Sequence, residues 1–184
     1  MKRRLWIAWA ASLALNPARA DDNAALTEKL KAAVAHGGFE DPFTANVWLT
    51  LMSQRMSRYN DDPIERLEIL SAVHQHAKRV DVPAEMVLAV IHVESRFQRF
   101  ALSWVGAQGL MQVMPFWKDE IGYPQANLFD IDTNIRFGCT ILKHYLDRES
   151  GNWQRALARY NGSLGKTWYP EKVMRAWDRY WYPG

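Results

Sequence analysis

The chain has 184 residues, enough for one domain and too few for two of ordinary size. Hydrophobic residues at 48% and charged residues at 23% exclude a disordered chain, and a single cysteine, Cys139, excludes an internal disulfide or a multi-cysteine zinc site. A formal charge of +3 invites a nucleic-acid reading, but Lys2, Arg3, Arg4 and Arg19 all lie in the first twenty positions. Residues 1–20 read as a secretory signal peptide: a basic start, an apolar run from Leu5 to Leu15, and small residues at Ala18 and Ala20 before the expected cut. That run is too short for a bilayer span, which takes about twenty residues. Without the leader, nineteen basic residues face twenty acidic ones, a net −1. The expectation is an exported chain with no transmembrane segment after cleavage and no nucleic-acid partner. Basic side chains still gather at the end, six against two acidic between Gly151 and Gly184.

Helical periodicity governs the chain after the leader. A first helix is predicted from Ala24 to His36, stopped by Gly37 and Gly38. The next runs from Phe43 to Tyr59, with Val47, Leu51, Met52 and Met56 on one face. Asp62 is placed as an N-cap with Pro63 at the first helical position, opening a helix to about Val80. Asp81-Val82-Pro83 opens another, predicted to reach Phe97. A loop of small residues, Ala101 to Gly109, precedes a short helical piece from Leu110 to Met114. A second loop, Phe116 to Phe129, leads to a helix from Ile131 to Arg148 with Ile131, Ile135, Cys139, Leu142 and Leu146 on one face. Helices from Trp153 to Tyr160 and from Pro170 to Tyr180 complete the chain. No alternating strand pattern is present, so the fold class is all-α. The expected division is a helical N-terminal region, 21–80, and a motif-bearing domain, 81–184.

Glu94 is the most informative position. Val87, Val90 and Ile91 precede it at i−7, i−4 and i−3, so it shares their apolar stripe. A carboxylate on a core-facing stripe is costly unless it is paired or used. It also sits near a helix C-terminus, where the dipole disfavours negative charge. Burial and dipole both raise its pKa, which suits a general acid. An ion pair with Arg96 or Arg99 at the helix edge is the alternative.

The sequence blocks from Glu94 onward are specific in combination. Glu94-Ser95-x-Phe97 is succeeded by Ala101-x-Ser103-x-x-Gly106-Ala107-x-Gly109-Leu110-Met111-Gln112-Val113-Met114-Pro115. Then come Asn127-Leu128-x-Asp130, Asn134-Ile135-x-x-Gly138 and Ala156-Leu157-Ala158-x-Tyr160-Asn161. In this order the set resembles the catalytic domain of the soluble lytic transglycosylases, lysozyme-like enzymes that cleave peptidoglycan. The resemblance covers roughly Pro83 to Tyr180. It implies that Glu94 is the single catalytic acid and base and that Ser103 hydrogen-bonds near the reacting sugar. It further implies that Gln112 and Met114 line the glycan cleft, that the Tyr160 hydroxyl helps orient Glu94, and that Asn161 shapes the same corner. Core roles for Met114 and Tyr160, and a helix cap for Gln112, are the plainer readings of those residues alone. The chain departs from the family pattern at Gly162-Ser163-Leu164-Gly165 and at Phe116-Trp117.

Glycoside hydrolysis ordinarily takes two carboxylates, and none lies between Glu94 and Lys118. The resemblance implies a substrate-assisted route to a 1,6-anhydro sugar with one glutamate and no metal or cofactor. A true lysozyme drawing a second carboxylate from Asp119, Glu120 or Asp130 is the enzyme alternative, and a glycan-binding scaffold the non-enzyme one. The implied partner is the peptidoglycan glycan strand in the periplasm. A docking role of 21–80 toward an envelope-spanning secretion machine is the further expectation. Trp104 and Trp117 lie beside the motifs as sugar-stacking candidates, Trp168 and Tyr169 are placed at the far side of the cleft, and Trp153 and Trp177 fit the core. His74, His76 and His92 have no metal-binding spacing, and Cys139 reads as a small core residue.

Overall fold

The computed structural model describes residues 17–182; the basic and apolar parts of the expected signal peptide lie outside the described residues. Among the described residues eight α-helices run in order: α1 (Pro17–His36), α2 (Pro42–Met56), α3 (Pro63–Arg79), α4 (Ala84–Glu94), α5 (Trp117–Ile121), α6 (Ile131–Arg148), α7 (Trp153–Tyr160) and α8 (Trp168–Ala176). A π-helical turn, Trp177–Trp181, continues α8. Pairing of β type among the described residues is confined to isolated bridges, Leu102 with Gln108 and Gln108 with Val113. The all-α expectation holds.

Local chemistry starts the helices. The Asp41 carboxylate accepts from the Thr44 amide at 2.9 Å, and Asp62 accepts from the Ile64 amide at 2.8 Å. Asp130 does the same for Thr133 at 2.9 Å, and Asn152 for Arg155 at 3.0 Å. Each satisfies an amide that the first turn leaves without a partner. Pro42 and Pro63 add a preset φ at the first helical position.

The middle of the molecule is α4. Every residue from Met86 to Ile91 is buried, so the helix is apolar all round and is covered by α3, α8 and the π-helical turn. On its other side α3 meets α1, α2 and α6, while α7 bridges α6 and α8. Residues 21–80 join this same core: Ala33, Leu49, Met52 and Met56 belong to one buried cluster with Val87, Ile91 and Leu142.

Helix α1 begins at Pro17 rather than Ala24, α2 ends at Met56 rather than Tyr59, and α8 begins at Trp168 rather than Pro170 and passes into the π-helical turn at Trp177; three further regions also differ from the sequence expectation. Helix α4 ends at Glu94 rather than Phe97, because Arg96 and Phe97 adopt left-handed φ values of 51° and 64°. Phe97 occupies that uncommon conformation while burying its ring against Tyr59 and Trp181, with centroids 5.8 and 5.2 Å away. The predicted helical piece Leu110 to Met114 is instead a turn. Gln108 and Val113 exchange backbone hydrogen bonds at 3.0 Å each, and Gln112 sits at φ 51°. Inside the predicted loop 116–129 lies α5, closed by Gly122 at φ 85°.

Candidate active site

Glu94 stands on the last turn of α4, carried there by Val87, Val90 and Ile91, all of which are buried as the stripe requires. It pairs with neither nearby arginine. Arg99 Nε donates to the Phe129 carbonyl at 2.9 Å, and Arg96 is exposed. The Glu94 carboxylate instead accepts from the Tyr169 hydroxyl at 2.5 Å. Burial pushes the Glu94 pKa up to about 7, against smaller downward pulls from the Tyr169 hydrogen bond and the Lys172 charge. Both phenols beside it, Tyr160 and Tyr169, are held far above their usual range by burial and by the Glu94 charge, so they stay protonated donors.

The second wall of the site is a knot of turns over residues 101–113. Ser103 builds its outer end: its amide donates to the Ala107 carbonyl and its Oγ accepts from the Ala107 amide, both at 2.9 Å. Gln112 ties the knot inward, its side-chain amide donating to the carbonyls of Gly109 at 3.0 Å and Ala101 at 3.2 Å. Beneath it, buried Asn134 on α6 accepts from the Met111 amide at 2.8 Å and donates to the Leu128 and Gln108 carbonyls at 2.7 and 2.9 Å. Met111 rests directly on Gly138, where an added Cβ would overlap its Sδ. The Tyr160 hydroxyl donates to the Met111 carbonyl at 2.8 Å.

Two tyrosines therefore divide the work expected of one. Tyr160 fixes the turn that carries Gln112, whereas Tyr169 holds the glutamate. The sequence places Tyr169 only at the cleft's far side; no local signal at a residue 75 positions away tells which phenol reaches Glu94. Ser103, Gln112, Met114 and Asn161 form no hydrogen bond with Glu94. Met114 is half-buried at the end of the knot, and Asn161 is the C-cap of α7, its amide donating to Leu157 at 3.1 Å. Of the remaining carboxylates, Asp130 is occupied as the cap of α6, and Asp119 and Glu120 are exposed on α5. Trp104 is fully exposed and Trp168 half-exposed, so both present open indole faces.

Other polar clusters serve the fold. His74 stacks on Phe39 with centroids 3.6 Å apart, and His76 Nε2 pairs with Asp132 at 2.6 Å. Cys139 is buried and its thiol is pushed up to about 12, which keeps it unreactive. Among the described residues no group of three or more His, Cys, Asp or Glu is arranged to hold a metal ion. No helix among them is long and apolar enough to cross a membrane.

The sequence model of the family described as Transglycosylase SLT domain matches residues 71–179. A transglycosylase of Enterobacteria phage PRD1 is 36% identical over 97 residues, covering 49% of this chain and 36% of the phage protein. The membrane-bound lytic murein transglycosylase C of Mannheimia succiniciproducens is 34% identical over 82 residues, covering 40% of this chain and 23% of its own length. The matched stretch thus spans well under half of either relative. Among solved structures, the 70 kDa soluble lytic transglycosylase of Escherichia coli has a TM-score of 0.50 at 19% identity, covering 87% of this chain and 29% of that one. That likeness is one of fold.

Proposed function

From the premise that the chain belongs to the Transglycosylase SLT domain family, we propose that it is a peptidoglycan lytic transglycosylase acting on the β-1,4 bond between N-acetylmuramic acid and N-acetylglucosamine. The observation that carries this reading is Glu94 itself: one half-buried carboxyl group, with a pKa of about 7, held by a buried tyrosine. Such a group is half protonated at neutral pH, so it has a proton to give and, once ionised, is basic enough to take one back.

The steps balance without water. Glu94 gives its proton to the bridging oxygen as the bond to C1 of the muramic sugar breaks. The sugar's own acetamido oxygen stabilises the electron-poor C1. Glu94, now a carboxylate, takes the proton of the C6 hydroxyl, and O6 bonds to C1 to close the 1,6-anhydro ring. Asp130 is engaged as the cap of α6, which leaves the two-carboxylate lysozyme reading to the exposed Asp119 and Glu120 of α5, and the products separate the two routes. The knot bearing Ser103, Gln112 and Met114 is the wall against which the glycan would lie, with Tyr160 bonded to its Met111 carbonyl and Asn161 next to Tyr160 in the chain.

Such a substrate implies a periplasmic enzyme, reached by export. The narrower reading is wall opening for an envelope-spanning secretion machine, for which the exposed Phe43 and Val47, one turn apart on α2, are the candidate contact.

Mass spectrometry of digested peptidoglycan tests the reaction. Wild-type protein is expected to release anhydro-muropeptides, one water lighter than hydrolysis products, and Glu94→Gln to lose about 10²–10⁴-fold in rate while still binding the strand. Reducing ends alone would move the chain to the lysozymes. An unchanged rate in Glu94→Gln would remove that residue from catalysis.

A further inference from the structure

The seam between α4 and α8 holds a second feature beside Glu94. A cavity of about 180 Å³ opens there, lined by His92, Arg96, Lys172, Arg175, Arg179 and Tyr180, with small apolar side chains making up the rest. Four of these residues are cations, and no acidic side chain lines the cavity. Lys172, Arg175 and Arg179 follow one another along α8 and the π-helical turn at i, i+3 and i+7, and Arg96 reaches the cavity from the left-handed turn after α4. None of the four takes part in an ion pair among the described residues. Glu171 and Asp178, the acids of the same segment, are exposed and pair with none of them. Like charges gathered round a concavity repel one another, and an anion seated among them relieves that repulsion.

His92 contributes a donor of its own. Its Nδ1 accepts from Trp181 Nε1 at 3.1 Å, and burial beside Arg96 holds the ring neutral, so its remaining proton is on Nε2. The cavity and the candidate catalytic carboxylate are carried by the same pair of helices, α4 and α8. Lys172 of the cavity wall stands three residues after Tyr169, whose hydroxyl donates to the Glu94 carboxylate.

We propose that this basic cavity binds carboxylates carried on the lactyl arm of a muramic-acid residue of the bound strand, so that the enzyme selects charged glycan strands. The proposal rests on the reading of the chain as a peptidoglycan transglycosylase. Two sources share the chemistry: the free lactyl carboxylate of a strand stripped of peptide, and the carboxylates of an attached peptide stem. A lipid surface suits the cavity less well. It is concave, and the exposed apolar side chains Phe100, Leu102, Trp104 and Val105 stand on or beside the 101–113 knot, not on its rim.

The test compares wild type, Arg175→Ala/Arg179→Ala and Arg175→Lys/Arg179→Lys on three soluble strands. One bears peptide stems, one is stripped to free lactyl carboxylates, and one is stripped with those carboxylates blocked as methylamides. The alanine pair should raise KM about tenfold on charged strands with kcat held within about threefold, leave the blocked strands unaffected, and be rescued by the lysine pair. A loss confined to stem-bearing strands assigns the stem carboxylates; a loss on stripped strands as well assigns the lactyl group. Unchanged KM on both charged strands, or an equal loss on blocked strands, overturns the proposal. Direct binding of the same strands is measured in a Glu94→Gln background, which reads the cavity without cleavage. Charge-selective binding with no anhydro product from wild type would overturn the functional reading alone. Anhydro products with unchanged KM and binding would overturn the cavity alone. Loss of binding to phosphatidylglycerol vesicles, with strand binding intact, would give the cavity to lipid and overturn the proposal.

Discussion

Glu94 sits where an apolar stripe ends, and its setting makes the pH behaviour of the enzyme predictable. In the proposed reaction the group acts first as an acid, so the competent form is protonated, and kcat/KM should fall as pH rises through its pKa of about 7. The Tyr169 hydroxyl stabilises the carboxylate and pulls that value down. Tyr169→Phe should therefore move the basic limb of the profile to higher pH, while lost orientation lowers the rate at the optimum about tenfold. Wild-type and variant pH–rate profiles check this, and a limb that stays put or moves to lower pH would mean Tyr169 does not hold Glu94 in the working enzyme. The glutamate is legible in the sequence because a charge on a stripe of Val87, Val90 and Ile91 is an energetic anomaly. The tyrosine is not, because Tyr160 and Tyr169 both sit beside apolar patterns and only packing distinguishes them.

At the scale of elements, α6 and the 101–113 knot form one unit. Asn134 supplies the knot with three hydrogen bonds, and Gly138 supplies the space into which Met111 settles. Gly138→Ala would drive a Cβ into Met111 Sδ and set it 2.8 Å from Met111 Cβ, and the second of these atoms has no freedom to swing aside. The gain in helix propensity is about 1 kcal/mol, and overpacking costs about 1–3 kcal/mol. The expected result is a net loss of stability in urea unfolding, together with reduced activity as the Gln112 turn is displaced. A variant as stable and active as wild type would show that Met111 does not position the turn. The starts of α3, α6 and α7 are readable from Asp62, Pro63, Ile131 and Trp153, since caps and periodicity act within a few residues. The turn at 110–113 reads as helix in the sequence because a short apolar run has no period of its own, and the bridge from Gln108 to Val113 decides the matter.

For the whole molecule, the N-terminal helices are a load on the core rather than an appendage. Leu49, Met52 and Met56 of α2 and Ala33 of α1 are buried in the cluster that contains α4. Truncating one such large side chain costs about 2–5 kcal/mol, and a domain has only about 5–15 kcal/mol in all. Deleting α1 and α2 should therefore abolish the cooperative thermal transition followed by circular dichroism. A deletion that melts like wild type would show the segment to be separable, as a dedicated docking arm would be. The all-α class, most helix bounds, the place of Glu94 on an apolar stripe and the family blocks were determined by the sequence alone, because propensity, capping, periodicity and motif spacing are properties of neighbouring residues. Tertiary structure alone decided which tyrosine holds the carboxylate, that Asp130 is spent on a cap, and that the basic residues of the C-terminal end meet Arg96 around a cavity. Each depends on α8 or α6 lying against an element far away in the chain, and only the burial of apolar faces shared by the whole core brings those elements together.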